Sequence, residues 1–347
     1  MKKIYFVRRQ HNPFGGVERY FERLVKEMKR RGKFDVEVLH ITQPKWMPSW
    51  IKLPWYDYQV CSTRKEGVYF SNDRLSCLDI HRAGGGTHKT FLKVKGFSLN
   101  PLHPVYLWLE KRALENSRQI IAISKMVKRN IIDDYGIDEK KITVIYNGID
   151  MEEIPEEAIH EKKVKIFEEF ALEEMDLPVI LYVGSGYERK GVWEFLEILS
   201  RLKSPFHAFV VGKEKHMRKY IQRAETLGIA KRVTFAGPRR DVENFYAASD
   251  IFLFPSHYEP FGSVVLEAMH FGNAIITTRQ TGAGEILETE PRMETPKDFT
   301  IIPYIEELLQ NRSKLENIKK HNRTLVENYS MKRNVDETIA VIEKVLD

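Results

Sequence analysis

At 347 residues the chain is too long for one ordinary α/β unit and suits two domains of roughly 150 to 200 residues, each able to bury its own core. Apolar residues at 42% and charged residues at 30% exclude a disordered chain, and no apolar run reaches the roughly eighteen residues of a membrane-spanning helix. The net charge of +6 is uneven: residues 1–150 carry 28 Lys and Arg against 16 Asp and Glu, and residues 151–347 carry 27 against 33, so a +12 half precedes a −6 half. The basic half suits a polyanionic partner, whether nucleic acid, an anionic membrane or a phosphorylated substrate.

The opening Met1-Lys2-Lys3-Ile4 moves straight into a strand-like run without a signal-peptide core, and a cytoplasmic chain is expected. Next come strand candidates Ile4–Val7, Val36–Ile41, Val68–Ser71, Ile120–Ser124 and Ile142–Tyr146. The first crossover helix, from about Val17 to Arg31, places Tyr20, Leu24, Val25 and Met28 on one face and Arg19, Arg23, Lys26, Arg30 and Arg31 on the other. Cys61 and Cys77 show no CxxC spacing and no His cluster, so idle thiols are expected, with neither a metal site nor a disulfide framework. An acidic stretch, Asp150 to Asp176, reads as linker plus helix, broken early by Pro155.

A second series follows: Val179–Val183, Ala208–Val211, Val233–Ala236, Ile251–Phe254 and Ala274–Thr277, each leading through a loop into helical spacing. The alternation predicts two doubly wound parallel sheets. The expected domains are 1–155, 156–330 and a terminal helix, 331–347, returning to the first domain. From Pro303 onward the chain is expected to be helical.

In open α/β sheets the loops at the carboxyl ends of the strands line the ligand crevice. Four loops stand out. Asn12-Pro13-Phe14-Gly15-Gly16-Val17-Glu18 opens a helix with a glycine pair, which lets an anion approach the backbone; it is not GxGxxG. His81-Arg82-Ala83-Gly84-Gly85-Gly86-Thr87-His88-Lys89 sets three glycines between two histidines and cationic side chains, and reads as a loop accommodating a ligand. The run after it, Phe91 to Phe97, and then Trp108, interleaves apolar residues with Lys93 and Lys95 as a lipid headgroup layer would favour. In Gly184-Ser185-Gly186-Tyr187-Glu188-Arg189-Lys190-Gly191, Arg189 and Lys190 stand where a diphosphate can reach both.

The fourth loop is the most informative. Pro255 to Met269 carries Glu259 in a loop after a strand and Glu267 inside the following helix. Glu259 can touch a bound sugar, Glu267 can accept from ribose hydroxyls, and the backbone N–H groups of Gly262, Ser263 and Val264 at the helix start can receive phosphates.

Here the chain resembles the retaining nucleotide-sugar glycosyltransferases of the two-domain GT-B fold, in which two Rossmann-like domains face each other across a cleft. Glu259 to Glu267 looks like their E-x7-E signature. The Gly15-Gly16 loop, Asn147-Gly148-Ile149-Asp150, Arg189-Lys190-Gly191, Phe235-Ala236-Gly237, Tyr246 to Pro255 and Thr281-Gly282-Ala283-Gly284-Glu285 extend the likeness over nearly the whole chain. The resemblance implies that Arg189 and Lys190 neutralise the donor diphosphate, Glu267 holds the ribose, Glu259 binds the transferred sugar, and Gly15-Gly16 approaches from the other domain. His81 and His88 compete for the family's active-site histidine. Where the family commonly has Arg after the strand-end Gly, this chain has Gly184-Ser185-Gly186.

The stretch Asp79 to Leu92 looks closest to enzymes that extend the lipopolysaccharide core, which implies a UDP-sugar donor, a glycolipid acceptor and peripheral placement on the anionic inner face of the membrane. No metal, no further cofactor and no nucleic acid partner are expected. The competing readings are a nucleotide-sugar epimerase or phosphorylase of similar fold, and a non-catalytic binder of anionic surfaces for which the +12 half alone suffices.

Overall fold

The computed structural model describes residues 2–9, 16–44 and 46–346, without the side chains of residues 17–19. The chain forms two compact units, Met1–Tyr146 with Lys332–Asp347, and Asn147–Met331. In the first, strands β1 (Lys2–Arg8), β2 (Phe34–His40), β3 (Val68–Ser71), β4 (Ile80–Ala83), β5 (Gln119–Ala122) and β6 (Ile142–Val144) form one parallel sheet in the order β2-β1-β3-β4-β5-β6. Helices α1 (Gly16–Arg31), α2 (Ser49–Ser62), α3 (His88–Lys95), α4 (Leu102–Asn116) and α5 (Lys125–Tyr135) supply its crossovers. The strands read as continuous apolar runs because both faces are covered; Ile4, Phe6, Phe70, Ile80, Ile120 and Ile121 are fully buried.

The second unit begins with α6 (Glu156–Glu169) inside the acidic stretch. Its sheet is β7 (Val179–Val183), β8 (His207–Val211), β9 (Val233–Gly237), β10 (Ile251–Phe254) and β11 (Ala274–Thr277), all parallel in the order β11-β10-β7-β8-β9. Helices α7 (Val192–Leu199), α8 (Met217–Thr226), α9 (Val242–Ala248), α10 (Ser263–His270), α11 (Ile302–Gln310) and α12 (Arg312–Val326) complete it. The strand order reverses between β7 and β10, and the crevice outside the carboxyl ends of these two strands is where such a sheet binds ligands.

The last helix, α13 (Met331–Leu346), belongs to the first unit from Lys332 onward. The Tyr20 and Thr338 hydroxyls share a buried hydrogen bond of 3.0 Å, and Arg31 pairs with Asp336. On α1, Tyr20, Leu24 and Met28 are buried as the periodicity requires, with Phe21 beside them.

Three expectations require correction. His81, Arg82 and Ala83 are not loop residues: they form β4, paired with β3 on one side and β5 on the other, and all three are buried. The polar pair His81-Arg82 hid a four-residue strand whose other two residues, Ile80 and Ala83, are apolar. His88 and Lys89, at the end of the expected loop, likewise open α3; Thr87 caps that helix by accepting from the Thr90 N–H. Finally, the cysteines are not idle thiols. Cys61, at the end of α2, is bonded to Cys77 before β4, with Cα atoms 5.6 Å apart. Asp57 draws the two segments together, its carboxylate accepting from the Ser76 N–H at 2.6 Å and the Ser76 hydroxyl at 2.8 Å. The bridge spans a separation of 16 residues, so the loop it closes is worth about 3 kcal/mol through the unfolded chain. Denaturant unfolding with and without reductant is expected to show a loss of that size, absent in a Cys61→Ser/Cys77→Ser variant.

Candidate active site

Two loops meet at the reversal point of the second sheet. The β7–α7 loop carries Arg189 and Lys190, the β10–α10 loop carries Glu259, and one carboxylate oxygen of Glu259 lies 3.2 Å from Lys190 Nζ and 3.3 Å from Arg189 Nη1. Arg189 also donates to the Tyr258 carbonyl, and its own carbonyl accepts from the His257 N–H at 3.0 Å. The loops touch so closely that Gly191 admits no side chain. With φ of +78°, a Cβ there would lie 1.8 Å from the Pro255 carbonyl oxygen. Gly184 has a related reason, since a Cβ would stand 2.9 Å from Lys190 Cδ. The lysine stem thus crosses the end of β7, and its ammonium lies 5.4 Å from the centre of the Phe254 ring.

Glu259 is held from behind as well. Its N–H donates to the Gln280 carbonyl and its carbonyl accepts from the Gly282 N–H, both at 2.9 Å, a strand-like bridge to Thr281. The side chain therefore projects from a fixed backbone toward the two cations. Gly262 follows in a left-handed conformation (φ +90°), where a Cβ would crowd Glu259 Cγ at 3.1 Å. Gly262 is the cap of α10 and makes no side-chain capping bond, so the N–H groups of Ser263 and Val264 open the helix at an end that favours anions. One turn on, Glu267 accepts from the Tyr246 hydroxyl at 2.9 Å. Burial first, and then the neighbouring Glu267 carboxylate, keep the Tyr246 phenol well above its ordinary pKa, so it remains a donor that orients this carboxylate.

Sequence reasoning overlooked both tyrosines that shape this site. Tyr246 does appear within a family-like stretch, but nothing in its spacing marks it as the partner of Glu267. Tyr182, inside β7, reads as an ordinary core aromatic. Its hydroxyl is buried with no hydrogen-bond partner among the described residues, and Glu259 and Arg189 both act on it electrostatically. Among the described residues no three His, Cys, Asp or Glu side chains converge as metal ligands do.

The remaining candidates lie in the first unit. Gly16 is the first residue of α1, whereas Gly15 falls outside the described residues. His81 is buried in β4, and its ring, which bonds the Asp73 backbone, is held down to a pKa of about 3 by burial, with the nearby Arg74 adding to it. His88 starts α3 and is only partly buried; its Nε2 lies 3.0 Å from His103 Nδ1, and its ring packs on Phe91 and Tyr106. Burial, then Arg74, His103 and Lys95, lower it to about 4. Both rings are neutral at pH 7, suited to hydrogen bonding. Between them, a Cβ at Gly84 would crowd the side-chain ends Asn72 Nδ2 and Arg82 Nη1 at 2.9 and 3.0 Å, and Gly86 takes the left-handed conformation that favours glycine, with φ of +68°.

These two shifts have a thermodynamic sign. The unfolded chain takes up protons on both rings below their ordinary value of 6.5, while the folded chain takes none until the pH nears 4 and then 3. Stability is therefore full above about pH 6.5 and is lost as the pH falls from there. The buried His81 contributes a slope of about 1.4 kcal/mol per pH unit. Unfolding free energies at pH 7.5 and 5.5 are expected to differ in this direction, and His81→Asn is expected to reduce the difference by a comparable amount.

Comparison with known proteins bears on the family and the fold. Residues 164–325 match the family described as Glycosyl transferases group 1, and residues 78–153 match Glycosyltransferase Family 4. The chain is 39% identical over 108 residues to the lipopolysaccharide glucosyltransferase WaaG of Escherichia coli K12, covering 30% of this chain and 29% of that protein. To the capsular polysaccharide biosynthesis glycosyltransferase CapM of Staphylococcus aureus it is 31% identical over 249 residues, 68% of this chain and 62% of CapM. Each match covers less than two thirds of the relative's own length. The crystal structure of WaaG superposes with a TM-score of 0.78 at 20% identity, covering 98% of this chain and 99% of that one. Anabaena Alr3699/HepE, solved with UDP and glucose, gives 0.72 at 20% identity over 99% of this chain and 100% of its own. Both share the fold, two parallel-sheet α/β domains of the GT-B type.

Proposed function

We propose, from the premise that this chain belongs to the GT-B-fold glycosyltransferases carrying the group 1 domain, that it is a retaining enzyme moving a hexose from a UDP-sugar to a lipid-linked saccharide, the lipopolysaccharide core. The observation that carries this reading is the pairing of Glu259 with both Arg189 and Lys190 at the strand-order reversal. The donor base is suggested by HepE, whose solved complexes hold UDP and glucose or UDP-glucose. The acceptor is suggested by WaaG and by the lipopolysaccharide core biosynthesis glycosyltransferase LpsE of Rhizobium meliloti, 35% identical over 107 residues. The +12 half supports work at an anionic membrane on the cytoplasmic face, and no helix among the described residues is long and apolar enough to cross one.

Without donor, both cations pair with the one carboxylate of Glu259, and the cluster keeps a net positive charge. An arriving diphosphate competes for them, and the carboxylate it displaces becomes free to accept from hydroxyls of the transferred sugar. The same three groups thus serve the leaving group and the sugar in turn, preorganised by the loop contacts at Gly191. The bond from the anomeric carbon to the β-phosphate oxygen breaks, negative charge grows on the diphosphate, and Arg189, Lys190 and the start of α10 stabilise it without a metal ion. The acceptor oxygen bonds the anomeric carbon on the face the phosphate leaves, and its proton passes to a departing phosphate oxygen. Glu267, oriented by Tyr246, holds the ribose. His81 and His88 remain the candidates for the histidine beside the transferred sugar; His88, at a helix start and partly exposed, is the more accessible.

A panel of UDP-, GDP- and ADP-sugars tests the reading without an acceptor. One nucleotide class, UDP, is expected to raise the melting temperature and to be slowly hydrolysed; indifference to every nucleotide sugar overturns it. Glu259→Gln is expected to lower kcat about 100-fold while leaving donor affinity within about threefold. Glu267→Ala is expected to weaken donor binding by about tenfold, and Lys190→Ala to raise donor KM and lower kcat together.

A further inference from the structure

Resting on the proposed work at a membrane, we infer that the outer face of α2 is the element that inserts into an anionic lipid surface. The inner face of this helix is locked. Tyr56 and Val60 sit in a buried cluster with Tyr5, Val7, Tyr69 and Leu75. Asp57 is bonded to Ser76, and Cys61 is linked to Cys77. The helix cannot roll to bury its other side.

That other side is apolar. Trp50, Pro54 and Tyr58 follow each other at four-residue spacing, with Ile51 and Trp55 alongside, so the five share one arc of the helix. Trp50 is 51% exposed, Trp55 44% and Tyr58 61%, and Trp46, just before the helix, is 80% exposed. Trp55 and Tyr58 stack on one another at 5.5 Å. No charged residue interrupts the arc; Lys52 stands at its flank. A water-facing helix surface normally carries Glu, Lys or Arg there, and tryptophan is ordinarily among the more buried residues. An exposed strip of this kind marks an interaction site, and Trp and Tyr, with an apolar ring and one polar group, are the side chains favoured at a lipid–water boundary.

Charge selects lipid over protein. Between residues 41 and 66 the sequence holds Lys45, Lys52, Arg64 and Lys65 against Glu66 and the buried Asp57, and Arg64 is itself paired with Asp79 at 2.6 Å. No carboxylate lies on the strip itself to repel an anionic headgroup, and the sequence around it, residues 41–66, carries more Lys and Arg than Asp and Glu. The neighbouring α4, which packs on α2, adds the exposed Trp108 with the Arg112 guanidinium 5.3 Å from its ring centre. The more obvious cationic run is less available. Lys93 pairs with Asp134 at 2.7 Å and Lys89 donates to the Asp134 carbonyl at 2.8 Å, so two lysines that look free in sequence tie α3 to α5.

Sedimentation of the full chain with vesicles of phosphatidylethanolamine and phosphatidylglycerol, against phosphatidylcholine alone, tests the inference. The wild type is expected to bind the anionic vesicles with a blue-shifted tryptophan emission. Trp50→Ser/Trp55→Ser/Tyr58→Ser is expected to lose at least about tenfold in vesicle affinity with donor hydrolysis and melting temperature unchanged, and changing all three positions to Phe is expected to restore most of it. Equal binding by the wild type and the serine variant overturns the α2 assignment while the membrane reading stands. No vesicle binding by the wild type overturns both. A wild-type dimer that the serine variant dissociates, in the absence of vesicle binding, assigns the strip to self-association and overturns the inference.

Discussion

The candidate site depends on one constraint: two parallel strands whose connections run in opposite directions leave their carboxyl ends adjacent, and the loops rising from them must occupy the same small space. Gly191 faces the Pro255 carbonyl at that meeting, with no room for a Cβ between them. Given this contact, Arg189 and Lys190 can only come up beside Glu259, and a mutually compensating cluster of charges results. Partly buried unlike charges at 3.2 to 3.3 Å stabilise each other modestly after desolvation. The value of the cluster is positional: cations kept paired and ordered until a stronger anion takes them.

Much of this was legible from sequence. Strands β7, β10 and β11 could be read to the residue because each is a continuous, mostly apolar run, buried on both faces, and such runs are distinct from the helical spacing around them. The Glu259 and Glu267 pair and the Arg189-Lys190 pair were visible for a related reason: charged residues at the ends of apolar strands have no role in the core. What failed did so where polar residues enter the core. His81 and Arg82 in β4 break the apolar signal of a four-residue strand, and the glycines after them pull the reading toward a loop. The Cys61–Cys77 bridge joins elements whose proximity exists only once α2 has packed on the sheet, and nothing in a spacing of 16 announces that.

The basic first half also changes meaning once side chains are placed. The +12 is a net count and does not say which cations a partner can reach. In the folded unit Arg74 is bonded to Glu110, Lys93 to Asp134, Arg64 to Asp79 and Arg31 to both Glu27 and Asp336. Several cations are therefore committed to partners inside the unit, and those four are not the ones that meet a polyanion first. The surface singled out by the structure is instead notable for lacking carboxylates and for its aromatic rings.

The placement of α13 bears on how the protein is made. A helix at the far end of the chain packs on α1, near its beginning, through Tyr20 with Thr338 and Arg31 with Asp336. During synthesis the first unit emerges early, yet lacks this layer until the ribosome has finished everything between. The second unit, contiguous from Asn147 to Met331, has all its parts beforehand, so the order of emergence and the order of completion are reversed.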